Sequence, residues 1–138
     1  MHFFPTKILL ATDGSEDAEL AASTAIDLAN KTGSRLHVVH IIDLVSGVVL
    51  DEADARGLLD AVVKRIEDAG SVSAQAHLSE GVPAAEIVAL SEEIGAGLIV
   101  VGSRGLGGVR RALMGSVSDS VVRHAHCPVL VVRKRTGT

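Results

Sequence analysis

Short apolar runs alternate along this chain with longer segments in which apolar residues recur every three or four positions. Runs of four to nine residues rich in Val, Ile and Leu predict strands. They cover residues 7–12, 35–43, 98–101 and 128–132. Residues 73–79 alternate small or apolar with polar residues, which is typical of a strand near a sheet edge. Residues 98–101 are uniformly apolar and predict an interior strand.

The segments between these runs predict four helices. Ser15 is a candidate N-cap, followed by Glu16 and Asp17 in the first turn, and Gly33 ends this first helix. The second helix covers residues 51–69, and Pro83 opens the third. The fourth is expected to start at Ser116, with Ser116 and Asp119 forming a capping box.

This alternation of strands and helices predicts the fold class. Successive strand–helix–strand units give a mainly parallel sheet, since right-handed crossovers place the helices on both faces. No linker or low-complexity tract divides the sequence. We therefore expect residues 1–138 to form a single doubly wound α/β domain.

Composition narrows the possible partners. Hydrophobic residues make up 47% of the 138 residues but aromatic residues only 1%, namely Phe3 and Phe4. Proteins that bind single-stranded nucleic acid stack bases on aromatic rings, and a net charge of −4 gives no general attraction to nucleic acid or anionic membranes. We therefore expect neither nucleic acid nor a membrane as a partner.

The sequence also favours a cytoplasmic location. Cys127 is the single cysteine, so no intrachain disulfide can form. The N-terminal residues lack the basic start and apolar run of a signal peptide. No apolar stretch approaches the ~20 residues that span a bilayer.

The candidate chemistry lies in residues 102–116, directly after the most apolar strand. This segment holds five glycines and three arginines. Glycines let backbone N–H groups approach an anion, and the start of the following helix has unpaired N–H groups and a positive dipole end. Arg104 adds a forked, permanently charged donor. The pattern predicts a phosphate-containing ligand, although it lacks the Walker lysine and has Arg110 where GxGxxG needs its third glycine.

Gly102 and Gly105 are followed, after nine residues, by Gly115 and Ser116. This spacing resembles the G-x2-G-x9-G-[S/T] motif of the ATP-binding universal stress proteins. The likeness extends over nearly the whole chain, including KILLATDGSE at the start, VVHIID in the second strand and HAHCPVLVVR near the end.

The resemblance implies a five-stranded sheet of order 3-2-1-4-5 and an adenine nucleotide as ligand. ATP, or AMP or ADP, would bind with Mg²⁺ or Mn²⁺, and Asp13 would hold the ribose or the phosphate-bound ion. The backbone of Ile41, with Ala11 and Thr12 nearby, would recognise adenine. The phosphates would contact Gly102, Arg104, Gly105, Gly115, Ser116, Val117 and Ser118.

The resemblance also implies a homodimer paired through Val129–Val132, and a signalling or stress-response module with at most slow ATP hydrolysis. Two alternatives stay open: a nucleotide-free member that acts by dimerisation, and an adenylating enzyme of a related fold. An adenylating enzyme of that kind would carry an SGGxDS-type loop after the first strand. This chain has Thr12, Asp13, Gly14, Ser15 and Glu16 at that place and lacks the loop.

Several candidate residues also have plainer interpretations. Asp13 can be a simple turn residue, and Ser15 only an N-cap. His37, His40 and His77 are expected to be structural, with the first two on opposite faces of their strand. A metal site at His124 and His126 is not expected, because residues two apart on a helix face different directions.

Overall fold

The computed structural model describes residues 3–45, 51–70, 72–104 and 115–134. The strands are β1 (Lys7–Ala11), β2 (Arg35–Asp43), β3 (Ala74–Gly81), β4 (Leu98–Gly102) and β5 (Val129–Val132). The helices are α1 (Glu16–Thr32), α2 (Glu52–Asp68), α3 (Pro83–Ile94) and α4 (Ser116–His124). The alternation of strands and helices that the hydrophobic pattern predicts is confirmed.

The strands form one five-stranded sheet of order β3-β2-β1-β4-β5, and every neighbouring pair is parallel. This confirms the predicted doubly wound α/β fold and its strand order. β1 lies at the centre, where Ile8 pairs with Leu36 of β2 on one side and Leu98 of β4 on the other. β3 and β5 are the edge strands, as the alternating pattern of residues 73–79 and the implied order predict.

The sheet buries a separate apolar layer on each face, because successive side chains of a strand point to opposite sides. On one face, strand residues such as Ile8 and Val38 pack with α1 and with Leu59 of α2. On the other face, residues such as Leu9 pack with α3 and with Val121 of α4. Both layers are mainly aliphatic, as the near-absence of aromatic residues requires.

Some predicted boundaries were wrong by one or two residues. β1 ends at Ala11 rather than Thr12, and β5 begins at Val129. β3 continues to Gly81, because β2 extends to Asp43 and the two strands pair along their whole shared length. Among the described helices, none is long and apolar enough to cross a membrane.

Candidate functional site

The carboxyl ends of β1, β2 and β4 lie at one edge of the sheet, and the helices that follow β1 and β4, α1 and α4, pack against opposite faces. In doubly wound sheets the crevice at such a reversal of strand order is where ligands bind. Here the reversal lies between β1 and β4. The two segments that border it are the turn from β1 into α1 and the residues that follow β4.

The β1–α1 turn is held by its own side chains. The Ser15 N–H donates to Oδ1 of Asp13 at 2.9 Å, and the Gly14 N–H donates to Oγ1 of Thr12 at 3.2 Å. Gly14 has φ of +80°, a left-handed conformation that glycine adopts without strain. Ser15 then caps α1 by accepting from the Ala18 N–H at 3.3 Å, which confirms its predicted role.

Thr12 is fixed from the side of β2. Its N–H donates to the carbonyl of Val39 at 3.0 Å, and its carbonyl accepts from Nδ1 of His40 at 2.8 Å. Because a carbonyl can only accept, Nδ1 of His40 carries the proton. Nε2 of His40 is buried and has no partner among the described residues. The backbone at the end of β1 is therefore tied firmly to β2.

Ile41 lies two residues beyond the last β1–β2 pair, in which Ala11 stands opposite Val39. In a parallel ladder, alternate residues direct both backbone groups to the same side. Since the Val39 carbonyl faces β1, the N–H and carbonyl of Ile41 face the same way, past the end of that strand. The side chain of Ile41 is buried.

Gly102 ends β4 in direct contact with the first turn of α1. A Cβ at this position would lie 2.8 Å from the carbonyl carbon of Asp17 and 2.9 Å from the Ala18 nitrogen. Both are backbone atoms, so only glycine allows the strand and the helix to approach so closely. From the sequence, Gly102 was predicted to contact phosphate. In this structure, Gly102 contacts the first turn of α1.

The residues after Gly102 are anchored to α1 and to β5. The Ser103 hydroxyl donates to Oδ2 of Asp17 at 2.6 Å, and the Arg104 N–H donates to the same oxygen at 3.2 Å. The Ser103 N–H donates to the carbonyl of Val132 at 2.8 Å. Ser103 is therefore buried, while Arg104 is half-buried.

The segment that returns to α4 is anchored at the same place. The Gly115 N–H donates to the Ser103 carbonyl. The Ser118 hydroxyl contacts that carbonyl at 2.8 Å and the Gly115 carbonyl at 3.1 Å. Residues before and after positions 105–114, the Gly-rich segment, thus converge on the Ser103 carbonyl.

The start of α4 differs from the predicted capping box. Gly115, not Ser116, is the N-cap, and no side chain caps this helix. The hydroxyl that contacts the Gly115 carbonyl belongs to Ser118, and the same hydroxyl contacts the Ser103 carbonyl. Ser116 and Val117 are exposed in the first turn, where backbone N–H groups lack intrahelical partners and the helix dipole is positive.

The structure places the predicted residues in two groups at this edge. The first lies at the carboxyl ends of β1 and β2 and contains Ala11, Thr12, Asp13 and Ile41. The second flanks the Gly-rich segment and contains Gly102, Arg104, Gly115, Ser116, Val117 and Ser118. The Ser15 hydroxyl joins the groups by donating to the Arg104 carbonyl at 3.4 Å. Gly105, Arg110 and Arg111 lie outside the described residues.

The sequence interpretation missed Asp17. As an acid in the first turn of a helix it has an ordinary role with the helix dipole, and nothing local indicates its contact with residues 86 and 87 positions away. Lys134 also approaches this turn, with Nζ 2.8 Å from Oε1 of Glu16. The hydrogen bond and charge of Glu16, together with the charge of Asp17, raise the pKa of Lys134.

His37 and His77 lie away from this edge. Nδ1 of His37 and Nε2 of His77 are 2.9 Å apart on stacked rings. Burial lowers the pKa of both; the charges of His77, Lys7 and Arg35 lower that of His37 further, whereas Glu93 partly opposes the shift at His77. In the part of the chain that the structure describes, no three His, Cys, Asp or Glu residues are grouped to hold a metal ion.

His124 and His126 have separate partners. Nδ1 of His124 lies 2.8 Å from the Ser120 carbonyl, and Nε2 of His126 lies 3.3 Å from Oε1 of Glu92. Each histidine is thus engaged locally, one within α4 and one with the end of α3.

Comparison with known proteins supports the fold and adds a match to a protein family. The profile of the universal stress protein family matches residues 5–133. Universal stress protein MJ0531 of Methanocaldococcus jannaschii is 35% identical, covering 93% of this chain and 82% of the relative.

Two solved structures have the same architecture. The hypothetical protein MJ0577 superposes with a TM-score of 0.82 at 28% identity, covering 95% of this chain and 97% of that one. The universal stress protein from Archaeoglobus fulgidus in complex with dAMP superposes with a TM-score of 0.72 at 26% identity, covering 95% and 99%. The chain belongs to the universal stress protein family.

Proposed function

We propose that this protein binds an adenine nucleotide, with ATP as the leading candidate, in the crevice between β1 and β4. The observation that carries the proposal is the first turn of α4, which opens onto the carboxyl edge of the sheet and is fixed against the residues that follow β4. A family relative at 26% identity, from Archaeoglobus fulgidus, is described in complex with dAMP. That ligand supports an adenine nucleotide as the class.

The phosphates would bind at the first turn of α4. There the N–H groups of Ser116, Val117 and Ser118 stand at the positive end of the helix dipole. Gly102, Gly105 and Gly115 would contribute close backbone contacts, and Arg104 a charged donor. The Ser118 hydroxyl is already engaged with Ser103, so this residue would contribute its backbone N–H.

The adenosine part would lie on the ends of β1 and β2. The Ile41 backbone faces the open side beyond β1 and offers one donor and one acceptor, which is the kind of edge that adenine pairs with. Ala11 and Thr12 would supply the neighbouring wall. Asp13, oriented by the Ser15 N–H, would hold the ribose or a phosphate-bound Mg²⁺ or Mn²⁺.

The bound nucleotide would serve as a signal rather than as a substrate for rapid turnover. Asp17, which contacts the described residues after β4, is held by two donors and is therefore poorly placed to activate water. We expect at most slow hydrolysis. The net charge of −4 gives no reason to expect nucleic acid or membrane as a partner, and we expect a cytoplasmic protein of one domain.

Nucleotide release and thermal melting test the proposal. The purified protein is denatured and the supernatant analysed for ATP, ADP and AMP by mass spectrometry; emptied protein is then titrated with MgATP. A ligand at 100 times its Kd stabilises the folded state by about 2.7 kcal/mol. No nucleotide released and no melting shift at millimolar MgATP would refute nucleotide binding and favour the nucleotide-free alternative.

Gly115→Val is the site variant for this titration. A β-branched side chain at the N-cap of α4 would occupy the space beside its first N–H groups. We expect the melting shift to disappear, whereas Gly57→Ala, on the open surface of α2, should retain it. Normal binding by Gly115→Val would show that the phosphates do not lie at α4.

We also propose a homodimer through β5. This edge strand is half-buried in the chain described here, and an unpaired edge of this composition invites pairing with a second copy. Since the carbonyls of Pro128 and Val132 face β4, the backbone groups of Val131 face outward. Val131→Pro removes an outward N–H and leaves the β4–β5 ladder intact, while Val131→Ala keeps that N–H.

Sedimentation equilibrium at micromolar concentration checks the dimer. We expect the unaltered chain and Val131→Ala to sediment as dimers and Val131→Pro as a monomer. A monomeric unaltered chain would refute the dimer.

A further inference from the structure

Four residues form a contact network that joins α1 to both sides of the Gly-rich segment. Asp17 accepts two hydrogen bonds on Oδ2, from the Ser103 hydroxyl at 2.6 Å and the Arg104 N–H at 3.2 Å. The Ser103 carbonyl accepts from the Gly115 N–H and contacts the Ser118 hydroxyl. We call Asp17, Ser103, Gly115 and Ser118 the loop neck.

The loop neck is held rigidly at α1. The Ser15 cap fixes where α1 begins, and this places Asp17 in its first turn. Gly102 brings β4 so close to that turn that a Cβ would collide with backbone atoms. Ser103 is only 1% exposed and Ser118 only 3%, so water cannot readily replace their contacts. Hydrogen bonds to a carboxylate are also of the stronger, charge-assisted kind.

We infer that Asp17 is a positioning residue for phosphate binding, an inference that rests on the nucleotide-binding function proposed above. Its carboxylate does not touch the nucleotide. It holds Ser103, whose carbonyl in turn holds Gly115 and the first turn of α4. The N–H groups that meet the phosphates are then in place before the ligand arrives, which reduces the ordering cost of binding. The Arg104 N–H is bound to Asp17, so Arg104 would contact phosphate through its guanidinium.

Asp17→Ala should weaken phosphate binding selectively. If the neck forms only one-tenth of the time without the carboxylate, the apparent Kd for MgATP rises about tenfold. Adenosine lacks phosphates and binds at the ends of β1 and β2, so its Kd should stay unchanged. A general loss of folding would weaken both ligands, and the ratio of the two Kd values therefore separates positioning from a structural role.

Three companion variants sharpen the comparison. Asp17→Asn keeps an oxygen that can accept both hydrogen bonds, so it should retain most of the ATP affinity. Ser103→Ala removes one of the two donors and should give a smaller loss than Asp17→Ala; it also serves as the test variant if Asp17→Ala does not fold. Glu16→Ala removes an acid from the same helical turn, one that contacts Lys134, and should bind as the unaltered chain does.

Isothermal titration calorimetry with MgATP and adenosine on all five proteins decides the inference. Equal ATP affinity in Asp17→Ala and the unaltered chain would overturn the positioning role while nucleotide binding stands, and so would a parallel loss for both ligands. If the unaltered chain binds neither ligand, the proposed function fails. Amide exchange then still tests the neck: faster exchange at Arg104 and Gly115 in Asp17→Ala supports it, and unchanged exchange overturns it.

Discussion

The same chemical change, glycine to alanine, is expected to have opposite effects at Gly102 and Gly57. At Gly102 the added Cβ would lie 2.8 Å from the Asp17 carbonyl carbon and 2.9 Å from the Ala18 nitrogen. Non-bonded carbon atoms are optimally about 3.5–4.0 Å apart, so β4 and α1 must separate by several tenths of an ångström. Because both obstructing atoms are backbone, no side-chain rotation relieves the overlap.

The size of the two effects follows from their surroundings. Overpacking of this kind costs about 1–3 kcal/mol. Gly57 lies on an exposed face of α2, and a Cβ there would have no atom within 4 Å apart from the backbone of its own helix. Alanine is favoured over glycine in helices by roughly 0.5–1 kcal/mol. A chain of this length shifts its Tm by about 3–4 °C per kcal/mol.

Calorimetric melting of the two variants tests this reasoning. We expect the Tm to fall by about 3–12 °C for Gly102→Ala and to rise by about 2–4 °C for Gly57→Ala. Fluorescence is a poor probe here because the chain has no Trp and no Tyr. A Gly102→Ala protein that melts at the unaltered temperature would refute the close packing of β4 against the first turn of α1.

Three further predictions concern stability. Ser15→Ala removes the cap that accepts from the Ala18 N–H and should cost about 1 kcal/mol in urea unfolding, while Ser15→Asp should retain most of it. Leu59→Ala removes a fully buried side chain and should cost about 2–5 kcal/mol in the same assay. Folding lowers the pKa of His37 and His77 from the usual 6.5. Below pH 6.5 the unfolded state therefore binds more protons than the folded state, and the free energy of unfolding should decrease as the pH falls. His77→Gln should flatten this slope between pH 7 and 5, and an identical slope would count against the assignment.

The fold was predictable because its signals are local. The apolar runs, the caps at Ser15 and Gly33, and Pro83 at the start of α3 mark the elements within one or two residues. Strand pairing sets the strand ends that local signals do not mark. For example, β3 continues to Gly81 because β2 offers pairing partners as far as Asp43. The strand order came from family resemblance rather than from periodicity, which carries no information on which strands are neighbours.

The candidate site was predictable only in part. Its glycines and Ser116 show in the sequence because their spacing is regular. Asp17 and Ser103 do not, since their contact joins residues 86 positions apart and neither stands at a motif position. The helix start at Ser116 was predicted correctly, but its N-cap was not: a capping box of Ser116 and Asp119 was expected, whereas Gly115 is the N-cap and its N–H donates to the Ser103 carbonyl.

The all-parallel order has a consequence during synthesis. β1 is made before both of its neighbouring strands, and these two strands are made at different times, because Ile8 pairs with Leu36 and with Leu98. At about 5–20 residues per second, β4 follows β1 from the ribosome by roughly 5–20 s. For that interval one edge of the most central strand has no partner in its own chain. A nascent chain stalled before residue 98 should therefore bind a chaperone, and release should coincide with the emergence of β4.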